Sequence, residues 1–308
     1  MSDDGLQALV IIAFIGTAFS PSYFRARRRE PCEPRRFCAI NAALYTPEHH
    51  RWAFTEYRDG GLDLSSHRFG LGGNSLSWED GRLRVQVAER GAPVPRALAA
   101  DVTLQPEMAS SLVWPLHRNG RHYWSPIVPR ARVSVRLTQP AMSWQGNGYL
   151  DSNWGEGALE DDFREWTWLR GHGQRSTQIV FAPTPTTAQH RDEAERDRDH
   201  ARLFRFERDS ARLSILDPPP AAELPRTSWR IARSVASDMN HMPRLRRTLE
   251  NTPFYARSLV HTRLSGEPLL VMHESLSLER FQSAWVRSLL PFRMRSSRRS
   301  WRDTAISS

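Results

Sequence analysis

From Phe37 to Glu274 the sequence is cut into short runs of alternating apolar and polar residues, separated mainly by glycine, asparagine, aspartate and proline. In the first half these runs are Phe37 to Tyr45, Arg51 to Tyr57, Ser75 to Trp78, Leu83 to Val87, Ala99 to Leu104 and Ala131 to Leu137. In the second half they are Ser143 to Tyr149, Thr167 to Arg170, Thr177 to Phe181, Ala201 to Phe206, Leu213 to Leu216, Ser228 to Ala232, Ser258 to Leu264 and Pro268 to Glu274. Gly72-Gly73-Asn74 and Glu79-Asp80-Gly81 are turn signals between them. A two-residue period gives each run one apolar side, which only sheet stacking or closure can bury. The pattern therefore predicts a mainly β chain of two successive barrels or sandwiches joined near Pro140. The expected divisions are 1–140, 141–294 and a basic tail over 295–308.

Other segments fill out this expectation. Leu6 to Phe19 is apolar but shorter than the roughly 20 residues of a membrane-spanning helix, and it reads as a buried strand. The turn Ser2-Asp3-Asp4-Gly5 opens the chain directly before it, so this strand's partner is expected to be missing. Arg25 to Arg36 reads as a basic loop, and Ala188 to His200 as a charged hairpin extension or solvated loop. Gly157 to Phe163 allows one or two helical turns. Ser277 to Leu290 is an amphipathic helix, capped by Ser277 and stopped by Pro291. Its face of Leu278, Phe281, Trp285 and Leu289 is expected to plug or cover a barrel, with membrane contact as the alternative.

The net charge of +9 comes entirely from arginine against aspartate and glutamate. It suits an anionic membrane surface, a nucleic acid, or no specific partner. No helix-turn-helix, zinc finger or aromatic RNA-binding motif accompanies it, and the arginines form no single dense stripe, so nucleic acid is not expected. Cys32 and Cys38 have no second Cys or His pair at zinc spacing and read as free thiols. The histidines, including His49, His50, His172 and His273, are scattered, and no metal site is expected. No Gly-x-Gly-x-x-Gly or phosphate loop follows a strand, so no nucleotide cofactor is expected. Ser152 lacks the Gly-x-Ser-x-Gly setting of an acyl-enzyme nucleophile.

The most informative segment runs from Trp144 to Gly155, Trp-Gln-Gly-Asn-Gly-Tyr-Leu-Asp-Ser-Asn-Trp-Gly. Strand alternation places Tyr149 and Asp151 on one face, with Asn147 and Asn153 in line. Aspartate is depleted in strands, so Asp151 either caps a turn or serves chemistry. The acids after it, Glu160, Asp161 and Asp162, read as a solvated helix start, and Glu56 beside Trp52 as a possible second pocket acid.

Gly148-Tyr149-Leu150-Asp151-Ser152-Asn153-Trp154-Gly155 resembles the signature of the bacterial carotenoid 1,2-hydratases, also called hydroxyneurosporene synthases. Ordered matches to the same family include Cys38 to Tyr45, Trp52 to Glu56, Tyr123 to Pro129, Leu159 to Arg164, Glu274 to Phe281 and Leu289 to Met294. The resemblance implies two lipocalin-like β-domains. It implies hydration of the terminal double bond of acyclic carotenoids such as neurosporene and lycopene, with no cofactor. It also implies peripheral attachment at the cytoplasmic face of the inner, photosynthetic membrane of a bacterium. The family's essential aspartate falls on Asp151, which becomes the expected proton donor. Tyr149 is expected to hold the carboxyl or the water, and the ring of Trp124 to stabilise a carbocation. Trp144, Trp154, Asn153 and Trp52 complete the expected substrate site. Phe292, Met294 and Trp301, near the arginines of 287–302, are expected at the lipid surface. A non-catalytic carotenoid or lipid carrier is the competing reading; it has no use for a protonatable Asp151.

Overall fold

The computed structural model describes residues 1–17, 19–58, 61–186 and 201–296. The charged segment 188–200, most of the tail after 295 and Trp301 lie outside the described residues. The chain is mainly β, in several antiparallel sheets, none of which closes among the described residues. It divides into two units.

One unit comprises Met1–Gln105, Val133–Gly146 and the chain from Leu290. Its four-stranded sheet runs in the order Ala8–Ile15, Phe37–Tyr45, His50–Arg58, Arg293–Ser296, the last strand parallel to its neighbour. Phe37–Tyr45, uninterruptedly small or apolar except for Asn41, is the buried centre of this sheet. Cys38, Ile40 and Tyr57 of this sheet pack with Leu71 in one buried cluster. Cys32 and Cys38 are free thiols. The first apolar run is a strand, but a half-buried one.

The other unit comprises Pro106–Arg132 and Asn147–Leu289. Its seven-stranded sheet has the order Leu213–Leu216, Arg202–Glu207, Ser176–Pro185, Phe163–His172, Glu267–Ser277, Tyr255–Leu264, Arg244–Asn251. Leu169, Val180, Leu203, Val235, Val260 and Val271 belong to a single buried cluster in this unit. A further sheet contains Ala97–Met108, His122–Gln139 and Ala141–Gly155, long strands that contribute residues to both units.

Several local expectations change. Arg25 to Arg36 is not a loop: Pro21–Arg29 is a helix, and Pro34–Arg36 a single 3-10 turn. Ser20 caps the helix by accepting from the Tyr23 amide at 3.1 Å, and Pro21 occupies the position where its missing N–H costs nothing. Arg27, Arg28 and Arg29 then stand at the negative end of the helix dipole. Ser228 to Ala232 is a turn rather than a strand. Thr227 O accepts from the Arg230 amide at 2.7 Å, Arg230 has φ 61°, and the strand starts only at Arg233. The C-terminal helix forms as two short pieces, Leu278–Phe281 and Ala284–Ser288. Ser283 is extended (ψ 130°) and restarts the helix, so the expected face divides. Leu278 and Phe281 are buried, whereas Trp285 and Leu289 are exposed.

Candidate active site

The strand Ala141–Gly155 carries Tyr149 and Asp151 on one side, and its glycines let other backbone come close. A Cβ on Gly146 would lie 2.0 Å from the Met1 carbonyl oxygen; one on Gly155 would lie 2.4 Å from that of Arg121. The neighbouring strand His122–Gln139 brings in Trp124, wholly buried against Phe204 (ring centroids 4.9 Å) and Phe181 (5.6 Å). Trp124 Nε1 donates to Asp151 Oδ2 at 2.9 Å, and the Tyr149 hydroxyl donates to the same oxygen at 3.1 Å. The expected catalytic trio, Asp151, Tyr149 and Trp124, is thus one hydrogen-bonded group.

Asp151 is half-buried. Water can reach it, but its carboxyl sits deep enough among these rings that little water solvates it. Burial is the largest influence and pushes its pKa up to about 6. The two donated hydrogen bonds pull the other way, the charge of Glu274 adds to the rise, and Arg170 opposes it. The Tyr149 hydroxyl is pushed well above its usual value by burial and by the charge of Asp151.

Sequence reasoning missed the group from the facing strand. In Phe163–His172, Trp166, Trp168, Arg170 and His172 share a face by alternation, a signal legible in Trp166-Thr167-Trp168-Leu169-Arg170-Gly171-His172. The Arg170 guanidinium lies 4.8 Å from the centre of the Tyr149 ring, and the Trp168 ring 5.6 Å from it. Burial lowers the Arg170 pKa to about 10. Arg170 Nη1 donates to His172 Nε2. A guanidinium only donates, so the His172 proton is on Nδ1, which donates to Thr177 Oγ1 at 2.9 Å. Burial, then the charges of Arg170 and Arg130, hold His172 well below its ordinary pKa and neutral. Glu274 stands opposite Trp168 on the next strand and accepts from Arg257 Nε at 2.9 Å.

The remaining expected residues do not join this group. Asn153 and Trp154 are exposed, and Trp154 stacks on Tyr123 at 5.8 Å. Trp144 and Trp52 belong to the first unit, where Trp52 packs against Phe54 at 6.0 Å. Glu56 is fully buried and accepts from the hydroxyls of Ser20 and Ser22 and from Arg58 Nε at 3.3 Å, a structural arrangement. Phe292 turns onto Phe54 at 5.5 Å, while Met294 is exposed.

Asp162 corrects a reading of the sequence. It is buried, not solvated, and receives His122 Nε2 at 2.6 Å and Asn119 Nδ2 at 3.1 Å. Three acids in a row suggested a wet helix start; only Asp161 is exposed. Among the described residues, no helix is long and apolar enough to cross a membrane, and no group of three or more His, Cys, Asp or Glu could hold a metal ion.

Comparison with known proteins agrees with the motif. The family model described as carotenoid hydratase CrtC matches residues 11–304. An acyclic carotenoid 1,2-hydratase of Thiocapsa roseopersicina is 41% identical over 96% of this chain and 70% of its own length. The enzyme of that description from Rubrivivax gelatinosus is 36% identical over 96% and 71% of the two chains. That of Cereibacter sphaeroides is 32% identical over 92% of this chain and 97% of its own length. Among solved structures, a protein described as AttH, from Nitrosomonas europaea, superposes with a TM-score of 0.57 at 14% identity, covering 90% of this chain and 89% of that one. CghA, solved with Sch210972, gives 0.52 at 12% identity over 90% and 86%. At such identities these structures speak for the lipocalin-like fold alone.

Proposed function

This chain belongs to the carotenoid hydratase CrtC family, and from that premise we propose that it hydrates the terminal C1–C2 double bond of acyclic carotenoids, without a cofactor, through Asp151. The chemistry sets the demand. A trisubstituted alkene is a very weak base, so the donor must be a carboxylic acid still neutral near pH 7. The carrying observation is the Asp151 carboxyl with its pKa pushed to about 6. About a tenth of it is then protonated at pH 7, against less than a thousandth for an ordinary aspartate.

In the proposed reaction the carboxyl O–H gives its proton to C2, and the π pair forms the new C–H bond. C1 becomes a tertiary cation. Water attacks C1 through its oxygen, and the proton it sheds returns to the Asp151 carboxylate. The net change is addition of H and OH, giving a 1-hydroxy carotenoid with the acid regenerated. Trp124 has two duties. Its N–H fixes the carboxyl, and its ring can contribute about 0.5–2 kcal/mol of cation–π stabilisation. The Tyr149 hydroxyl fixes the same oxygen. Neurosporene and lycopene are the proposed substrates.

Such substrates reside in lipid, so the proposed place of action is the cytoplasmic face of the bacterial inner membrane. The arginines of the helix Pro21–Arg29 support this, since a cationic side chain near an anionic bilayer contributes about 1 kcal/mol. No nucleic-acid partner is proposed. The test is pigment analysis of a lycopene-producing host. Expression should yield monohydroxylated pigment, and Asp151→Asn should reduce it at least a hundredfold. Near-normal conversion by that variant would remove Asp151 from the mechanism.

A further inference from the structure

Arg170 carries a buried charge with no counter-ion of its own. It is 8% exposed and turned to the face that meets Tyr149. Two other buried arginines of the same unit sit on carboxylates. Arg257 reaches Glu274 at 2.9 Å and Glu250 at 3.3 Å, and Arg130 reaches Glu107 at 2.9 Å. A third, Arg233, spends its donors on the Pro225 carbonyl oxygen and on the Thr248 and Ser258 hydroxyls. Arg170 has neither solution. Among the described residues it forms no ion pair. Its Nη1 donates to the neutral His172, and its Nε is buried without a partner. The Tyr149 ring, 4.8 Å away, offers only the partial negative charge of a π face. A buried charge is costly unless an opposite one balances it.

The surroundings of Asp151 show where that balance arises. Its own strand gives Tyr149 and the strand His122–Gln139 gives Trp124, both uncharged. His122, two residues before Trp124, is taken up by Asp162 at 2.6 Å. Ser176–Pro185 and Arg202–Glu207 bring the rings of Phe181 and Phe204, with Arg202 paired to Asp217 at 3.3 Å. Phe163–His172 gives Arg170 and the neutral His172. Glu267–Ser277 gives Glu274, backed by Arg257 and then Glu250 on the next two strands. While Asp151 is protonated, Arg170 and Arg257 offset Glu274 and Glu250. Once the proton leaves, this set has one net negative charge, at the moment when the substrate carbon has one positive charge.

We propose that Arg170 is a positioning residue for the hydration, whose fixed charge takes the Asp151 carboxylate as its counter-ion when the carboxyl gives up its proton. The inference deepens the hydratase reading above and rests on it. The reaction itself is unchanged: the O–H electron pair stays on the carboxylate while the alkene π pair forms the C–H bond. Arg170 touches no reacting atom and acts through Asp151. His172 suits its part, because its Nδ1 is tied to Thr177 and its Nε2 is left as a fixed acceptor for the guanidinium. Burial lifts the carboxyl's pKa and Arg170 limits the rise, so the acid is neutral often enough to donate and still strong enough to protonate an alkene.

Arg170→Met removes the charge at similar length, and Arg170→Lys keeps it. Asp151 is followed in two ways in the full chain. One is the pH dependence of kcat for lycopene in liposomes. The other is the infrared C=O band of the protonated acid, identified by its loss in Asp151→Asn. The methionine variant should move both titrations upward by about one unit. Its low-pH plateau of kcat should fall about three- to tenfold, because a weaker acid transfers its proton more slowly, with KM within about twofold. The lysine variant should keep the titration within about half a unit of wild type and recover most of the plateau. Arg170→Gln, equally neutral but polar, repeats the test on a second fold-compatible side chain. An Arg170 that only braces the fold would lower kcat in all three variants and leave the titrations in place; that result overturns the proposal, as does a downward shift in the neutral variants. If the infrared titration follows the charge but wild type hydrates no lycopene, the hydratase reading falls while the link between Arg170 and Asp151 stands.

Discussion

Replacing Trp124 by phenylalanine tests the proton donor without touching it. The change keeps a ring against Phe181 and Phe204 but deletes the indole N–H that reaches Asp151 at 2.9 Å. That hydrogen bond favours the ionised carboxylate, so its loss must raise the pKa above its present value of about 6. A hydrogen bond to a charged group contributes about 1.5–3 kcal/mol, and 1.36 kcal/mol corresponds to one pKa unit. With Tyr149 still donating, a rise of about one unit follows. The protonated fraction at pH 7 should then climb from about a tenth to about a half. The assay is kcat/KM for lycopene dispersed in liposomes, between pH 5 and 9. Wild type should be flat below about pH 6 and fall tenfold per unit above it, because only the protonated form donates. In the variant the bend should move to about pH 7, whatever happens to the plateau through lost ring–cation contact. The position of the bend does not depend on how much protein folds. A bend that stays in place, or moves to lower pH, would refute the assignment of Asp151 as the acid.

Glu274→Gln should do the opposite: its charge raises the Asp151 pKa, so the bend should move below pH 6 and activity at pH 7 should drop, with Arg257 still paired to Glu250. Asp151 also makes a stability prediction. Its folded pKa of about 6 exceeds the unfolded value of 3.8, so its favourable contribution is complete below pH 3.8 and is lost as pH rises through 6. Asp151→Asn should therefore gain about 2–3 kcal/mol over wild type between pH 4 and pH 8 by denaturant melts; a constant difference would contradict it. Asp162→Asn, which leaves the buried His122 without its carboxylate, should cost about 1–3 kcal/mol in the same melts.

The β character of the chain was legible because alternation is a local signal, and Leu213–Leu216 falls where the pattern puts it. The failures have local causes too. Arg244–Asn251 is a strand whose arginines hide its alternation, and Pro21–Arg29 a helix whose arginines suggested a loop. In each case charge masked geometry. At the site, Tyr149 and Asp151 share a face by spacing alone, but Trp124 could be placed only through family resemblance, since it lies on another strand. Arg170 and Glu274 were missed because nothing local says which face of their strands meets Asp151. The burial of Asp162 has the same origin, as its partner His122 is forty residues away in the sequence.

Two glycines on either side of Asp151 in its strand have a consequence for how this protein can fail. Gly146 fits under the Met1 carbonyl and Gly155 under that of Arg121, so the stretch that carries the acid is gripped before and after it. A slip by one residue would swing Asp151 to the far side of the sheet and present Leu150 or Ser152 to Trp124. Damage at either grip can thus silence the chemistry in a chain that still folds and keeps every reactive side chain it was born with.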